Sequence, residues 1–301
     1  VSDAGPYDFY GLSLASDLAL PFGRARPGAP ADLSAVWLGQ TGAPLAPPLP
    51  GWRTYDTGAE GWRIRYVSGE GGWGAFDYHR AARRLTLSGT KPFDHFIAPL
   101  IGHAAAVLLR DAGRLVLHGA VIARAGRAIA LLGQSGAGKS TLGAALIGHG
   151  CELVSDDLVA ICPDDATLRA GSGPRLLSLC PDIAARLAPA VTPPASRPAS
   201  AKHWLTQPPS SPAALARLAA IYVLAPRDPA LAAPRSVTLA PRQGAVELMR
   251  HLYDPTTAPA ADQPATLQAC ATLAGRAPVR LLQRPASLAA LDATAALLLG
   301  D

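Results

Sequence analysis

Residues 133–157 read GQSGAGKSTLGAALIGHGCELVSDD, and the reading of this stretch decides the fold. Gly133, Gly136, Gly138, Lys139 and Ser140 satisfy the pattern GxxxxGK[ST], and the apolar run RAIALLG leads into it. A strand, a glycine-rich turn and a helix in that order form a phosphate cradle. The glycines let consecutive backbone N–H groups face one anion, and the helix start adds its positive end. Residues 133–141 (Gly133, Gln134, Ser135, Gly136, Ala137, Gly138, Lys139, Ser140 and Thr141) are therefore the candidate nucleotide-binding loop. Lys139 is expected to reach the β- and γ-phosphates of ATP, and the Ser140 hydroxyl to ligate Mg²⁺.

The pair Asp156 and Asp157 comes unusually soon after the loop. A helix of about ten residues followed by the strand CELVS returns the chain to the loop and brings the pair beside it. Side chains alternate along a strand, so two adjacent aspartates face one point only across a bend, and different tasks are expected of them. Asp156 is read as the base that takes a proton from an attacking hydroxyl, and Asp157 as the residue on the metal side. His118, in LVLHGAV on the preceding strand, is expected to orient or balance Asp156. Further candidates for the transferred group are Lys202, Arg175 and His203.

Outward from this core, the 301 residues are 49% hydrophobic and 16% charged, which suits one large or two small globular domains. The formal charge of +5 comes from basic residues scattered singly, against a nucleic-acid partner or a membrane patch. Four cysteines without a CxxC pair point to a reducing, cytoplasmic setting. The apolar runs are too short to span a bilayer, and no charged-then-apolar leader opens the chain.

Residues 1–96 alternate in short runs such as WRIRYVS (62–68) and RRLTLSG (83–89), and are expected to form a β-rich region with a possible part in substrate recognition. Residues 97–301 are expected to form the phosphate-loop domain. They open on the helical pattern FIAPLIGHAAAVLLRDAG, with strands at LVLHGAVIARAG, RAIALLG, DLVAICP and LAAIYVLAP. Residues 189–212, dense in Pro, Ser and Ala, are expected to be a loop. A helix near Gly244–Leu252, another polar loop and a strand–helix unit from Pro278 complete the chain.

The segment HGAVIARAGRAIALLGQSGAGKSTLGAALIGHGCELVSDD resembles the catalytic core of HPr kinase/phosphorylase and its relatives, in the order His-Gly, phosphate loop, helix, strand, Asp-Asp. The resemblance implies an α/β P-loop fold shared with ATP-dependent phosphoenolpyruvate carboxykinase, and phosphorylation of a serine hydroxyl with ATP and Mg²⁺. It carries roles onto His118, Lys139, Ser140, Asp156 and Asp157. YDFYGLSLASDLALPF, GPRLLSLCPDIAARL and RLAAIYVLAPRDP resemble a branch found beside genes for ribosomal peptides, in which lasso-peptide tailoring kinases phosphorylate a precursor peptide. Thr141 departs from the family's common GKSE, and the acidic and Arg-rich segments of the HPr site are not found. Both departures weigh against HPr as acceptor and against the reverse phosphorolysis. A peptide or protein serine is thus the expected partner, and homo-oligomer formation is left open. The competing expectations are a nucleotide-dependent peptide-binding or regulatory module and a small-molecule kinase.

Overall fold

A computed structural model describes residues 6–26, 28, 30–40, 53–67, 72–90, 96–162, 166–187, 195–196, 203–206, 216–257 and 262–300. Seven strands come first: β1 (Tyr7–Phe9), β2 (Leu12–Ser16), β3 (Leu33–Gln40), β4 (Arg53–Thr57), β5 (Gly61–Val67), β6 (Trp73–His79) and β7 (Arg84–Gly89). They form one sheet in the order β1-β2-β3-β7-β6-β5-β4. Its strands alternate as a sheet with one covered face must: Trp62 and Ile64 of β5 and Leu85 and Leu87 of β7 point inward, with polar residues between them.

Over that face lies a helical rod of α1 (Ile97–Pro99), a π turn (Leu100–Ala104) and α2 (Ala105–Asp111). Leu100 and every residue from Ala104 to Leu109 are buried, because the rod is covered on two sides. It shares one core with the first sheet and with Val116, Leu158 and Ala160 of the second. The rod thereby joins the β-rich region to the rest of the chain.

The second sheet contains β8 (Leu115–Arg124) and β9 (Arg127–Leu132), which leads through the glycine-rich turn into α3 (Lys139–Gly148). It continues with β10 (Glu152–Ser155), β11 (Leu158–Ile161) and β12 (Arg169–Ala170). β13 (Leu176–Leu179) precedes α4 (Pro181–Leu187) and pairs with β15 (His203–Thr206), which also pairs with β14 (Ala195–Ser196), as a separate small sheet. β16 (Ala216–Leu224), β17 (Arg235–Thr238), α5 (Pro241–Arg250), α6 (Gln263–Arg276), β18 (Val279–Gln283) and α7 (Leu291–Gly300) follow. The second sheet runs β10-β8-β11-β12-β16-β18-β17, with β9 pairing both β8 and β16. β9, β16 and β18 are mutually parallel, an arrangement that demands helices on both faces. α5 and α6 cover one face through Leu248, Cys270 and Leu273, and α3 and α7 the other through Leu142, Leu146 and Leu298. No helix among the described residues is long and apolar enough to cross a membrane.

Two expectations need correction. Inside the Pro-rich segment, residues 195–196 and 203–206 form strands, because Trp204 is buried opposite Ser178 and the pairing with β13 outweighs composition. The polar loop expected after α5 contains the 14-residue helix α6. Its Pro264 sits in the first turn, where no intrahelical N–H is needed, and Cys270, Leu273 and Ala274 recur at helical spacing on the buried face.

Candidate active site

The end of β9, the start of α3 and the turn between β10 and β11 meet at one cavity of about 580 Å³. Gly138 precedes α3 with φ +95°, a backbone that a side chain resists. A Cβ there would also lie 2.6 Å from Nη2 of Arg227, so that exposed side chain would have to move aside. Ser135, Gly136, Gly138, Ser140 and Thr141 line the cavity, while Gly133, Gln134 and Ala137 face other partners.

Lys139 is buried. Its Nζ donates to the carbonyls of Gly133 at 2.7 Å and Gln134 at 3.2 Å, and lies 2.9 Å from Nε2 of His118. An ammonium has no acceptor, so Nε2 of His118 receives that bond and Nδ1 carries the ring proton. Nδ1 stands 3.3 Å from Oδ1 of Asp157, and the phenol of Tyr253 donates to Oδ2 of the same carboxylate at 3.3 Å. A chain Lys139–His118–Asp157–Tyr253 results. The backbone sets it: His118 N–H donates to the carbonyl of His251, and Gly119 N–H to that of Asp157. Gly119 is required by close approach, since a Cβ would meet the Leu131 carbonyl and Leu132 Cδ2 at 2.6 Å each.

Asp156 has a different environment. Its carboxylate accepts the Ser178 N–H at 3.0 Å and lies 3.3 and 3.5 Å from the Ser140 hydroxyl. Burial pushes its carboxyl above the ordinary range and the adjacent Asp157 adds to the rise, against the Ser178 amide and Lys139, which lower it. The bend that adjacent aspartates require is present: Asp157 has φ +74°, and the register of β10 against β8 shifts between Leu153 and Ser155. Both side chains therefore line the cavity. His118 stands against Asp157, which corrects the expectation that it would serve Asp156.

The structure brings His118, Lys139, Ser140, Asp156 and Asp157 together. Arg175 is turned away from the cavity toward Glu152, at 3.9 Å. His203 lies in β15, and Lys202 falls outside the described residues. Reading by motif passed over Tyr253, Ser178, Trp204, Arg227 and Arg284, which belong to no phosphate-loop pattern. The loop carrying Tyr253 is pinned by Asp254, which holds Arg53 of β4 at 2.9 Å and His103 at 3.1 Å. Burial acts to raise the Asp254 carboxyl, but hydrogen bonds from His103 and Thr256 and the charge of Arg53 prevail and hold it at about 2.

Mg²⁺ suits this donor set. It is commonly held by one or two carboxylates with phosphate and water, and rarely by a cage of side chains. Among the described residues no group of three or more His, Cys, Asp or Glu forms such a cage, whereas Ser140 and Asp156 stand together beside the loop.

Fold and site define an α/β protein with a glycine-rich turn between β9 and α3, a paired lysine and histidine, and two carboxylates of unlike environment. Part of its sequence is similar to HPr kinase/phosphorylase: over 82 residues, 27% of the chain, it is 35% identical to that protein from Lactobacillus delbrueckii subsp. bulgaricus. The match spans only a quarter of that relative's length. No protein-family model matches the chain. The solved Hpr(Ser) kinase/phosphatase from Coxiella burnetii aligns with 62% of this chain and 94% of its own at 13% identity, with a TM-score of 0.29, too low to bear on the argument.

Proposed function

We propose that the chain is a kinase of the HPr-kinase type, which moves the γ-phosphate of ATP, with Mg²⁺, onto a serine hydroxyl of a peptide or protein. A ribosomally made precursor peptide of the lasso type is the acceptor we favour. The observation that carries the reading is the arrangement of Lys139, His118 and Asp157 as one contiguous chain beside the phosphate loop, a hydrogen bond from Lys139 to His118 and a close imidazole–carboxylate contact beyond it, with Ser140 and Asp156 forming a second pair in the same cavity.

The division of labour between the aspartates is proposed as the reverse of the one read from sequence. Asp156, beside Ser140 and fixed by the Ser178 amide, belongs to the metal side. Bound there, Mg²⁺ would neutralise charge developing on the phosphates. Asp157, whose side chain is 51% exposed, is the carboxylate an incoming hydroxyl can reach. It accepts the acceptor's proton as the new O–P bond forms and the bond from the γ-phosphorus to the bridging oxygen breaks, leaving ADP. His118 stands against one of its oxygens and Tyr253 donates to the other. Lys139 supplies fixed positive charge where charge accumulates.

On the acceptor side, Ala98, Ile101, Pro174, Leu176 and Trp204 line the same cavity, an apolar surface that suits a peptide flanked by uncharged side chains. The test is intact-mass measurement of candidate precursor peptides and of HPr, side by side, after incubation with protein, ATP and Mg²⁺. A gain of one phosphate on a peptide serine is expected. Tight ATP binding with no phosphate on any peptide would sink the peptide-kinase reading in favour of a regulatory module or a small-molecule kinase.

A further inference from the structure

Two guanidinium groups flank the phosphate loop at Gly138, and the phosphate-loop pattern includes neither. Arg227 follows β16 and Arg284 follows β18, two parallel strands whose ends lie beside the loop. At Gly138 the Cβ position is 2.6 Å from Nη2 of Arg227 and 3.5 Å from Nη1 of Arg284. Arg284 is only 5% exposed, and its Nη2 donates to the carbonyls of Ala137 at 2.8 Å and Ala225 at 3.4 Å. Its Nε is buried with no hydrogen-bond partner. Among the described residues neither arginine has a carboxylate within ion-pair distance, so two like charges stand together uncompensated. Burial pushes the Arg284 guanidinium down to about 10, and the neighbouring Arg227 contributes.

A buried, uncompensated cation beside a second one is costly unless an anion meets it. A carboxylate would have been the simplest neutraliser, and the anion for which this loop is shaped is phosphate. The position along the loop narrows the choice. Gly133 and Gln134 are at the His118 end, where Lys139 is held and where transfer is proposed to occur. Gly138 and Thr141 are at the Arg227 end, where the cavity continues toward Leu288.

We propose that Arg227 binds the α-phosphate of the nucleotide, at the end of the loop away from the transferred group, and that Arg284 is a positioning residue that fixes the loop carbonyl of Ala137 and directs Arg227 outward. This rests on the reading of the loop as an ATP site and adds a second cationic contact to it. Arg227 is exposed, with no hydrogen bond to the fold among the described residues, as an arm that swings onto a ligand must be. A guanidinium can pair with two phosphate oxygens at once, which an ammonium cannot.

The test measures Kd for Mg·ATP, Mg·ADP and inorganic tripolyphosphate on the whole protein, Arg227→Ala, Arg227→Lys and Lys139→Ala. Arg227→Ala is expected to weaken all three by a similar factor, roughly 10- to 100-fold, with partial recovery in Arg227→Lys. Loss for the nucleotides alone would place Arg227 on the base and overturn the proposal, as would loss for ATP with ADP unchanged, which would place it on the γ-phosphate. If Arg227→Ala binds all three normally while Lys139→Ala does not, this inference fails and the ATP site stands. If the unaltered protein binds none of them, both fall.

Discussion

On one wall of the cavity Asp156 is held by the backbone of β13 and the hydroxyl of Ser140, and burial raises its carboxyl. On the other wall Asp157 is half-exposed, in a left-handed turn, between the ring of His118 and the phenol of Tyr253. The two are adjacent in the chain and make opposite kinds of contact. The difference teaches that a strand's alternation, broken by one left-handed residue, can deliver a fixed carboxylate and an accessible one to the same cavity. Fixity suits a metal, whose geometry must not drift, and accessibility suits a base, which must meet a moving substrate.

The largest effect expected is from Lys139→Ala, which strips charge from both walls. ATP affinity and turnover should both fall, turnover by on the order of 10²–10³, and ATP titration with steady-state assay would show it; unchanged ATP affinity would count against the loop. Asp157→Asn should lower kcat by about 10²-fold with ATP affinity within a few-fold, since it removes a role exercised only in the transition state. His118→Ala removes an imidazole contact and Tyr253→Phe a hydrogen bond to that base, and each should cost roughly 5- to 10-fold in kcat, corresponding to ~1 kcal/mol. Equal losses in KM alone would mean that they hold substrate and do not orient Asp157.

A separate effect, on stability and not on turnover, concerns the loop behind Tyr253. The Asp254 carboxyl sits at about 2, against an ordinary 3.8, so its contribution to stability is present above the ordinary value and disappears as pH falls through about 2. Asp254→Asn should therefore cost roughly 2 kcal/mol near pH 7, and the gap to the unaltered protein should close between about pH 4 and pH 2. Denaturant titrations at several pH values would test this, and a gap independent of pH would contradict it.

Much of this architecture was legible in the sequence where a single physical cause sets the structure. The phosphate loop is fixed by glycines and a following helix, and the strands around it by apolar runs. The edge of legibility is visible at α6 and β15. In α6 a short apolar stripe of Cys270, Leu273 and Ala274 is diluted by polar residues, and β15 is held by pairing with β13, across 23 intervening residues of chain, in a segment whose composition argues for a loop. The site divides in the same way. Lys139, Ser140 and the aspartates belong to one continuous stretch, and its spacing alone places them side by side. Tyr253, Ser178, Arg227 and Arg284 arrive from β-strand ends and loops far along the chain, and only the folded sheet brings them in. Which wall each aspartate would take depended on a left-handed backbone at a non-glycine residue, which spacing does not reveal.

The most direct test of the division between the walls is phosphate transfer to an accepting peptide, followed by intact mass for the unaltered protein, Asp156→Asn and Asp157→Asn across a series of Mg²⁺ concentrations. The account predicts that Asp156→Asn recovers turnover as Mg²⁺ is raised and that Asp157→Asn stays inactive throughout. Recovery in Asp157→Asn, with Asp156→Asn inactive at every concentration, would contradict it and return the base to Asp156.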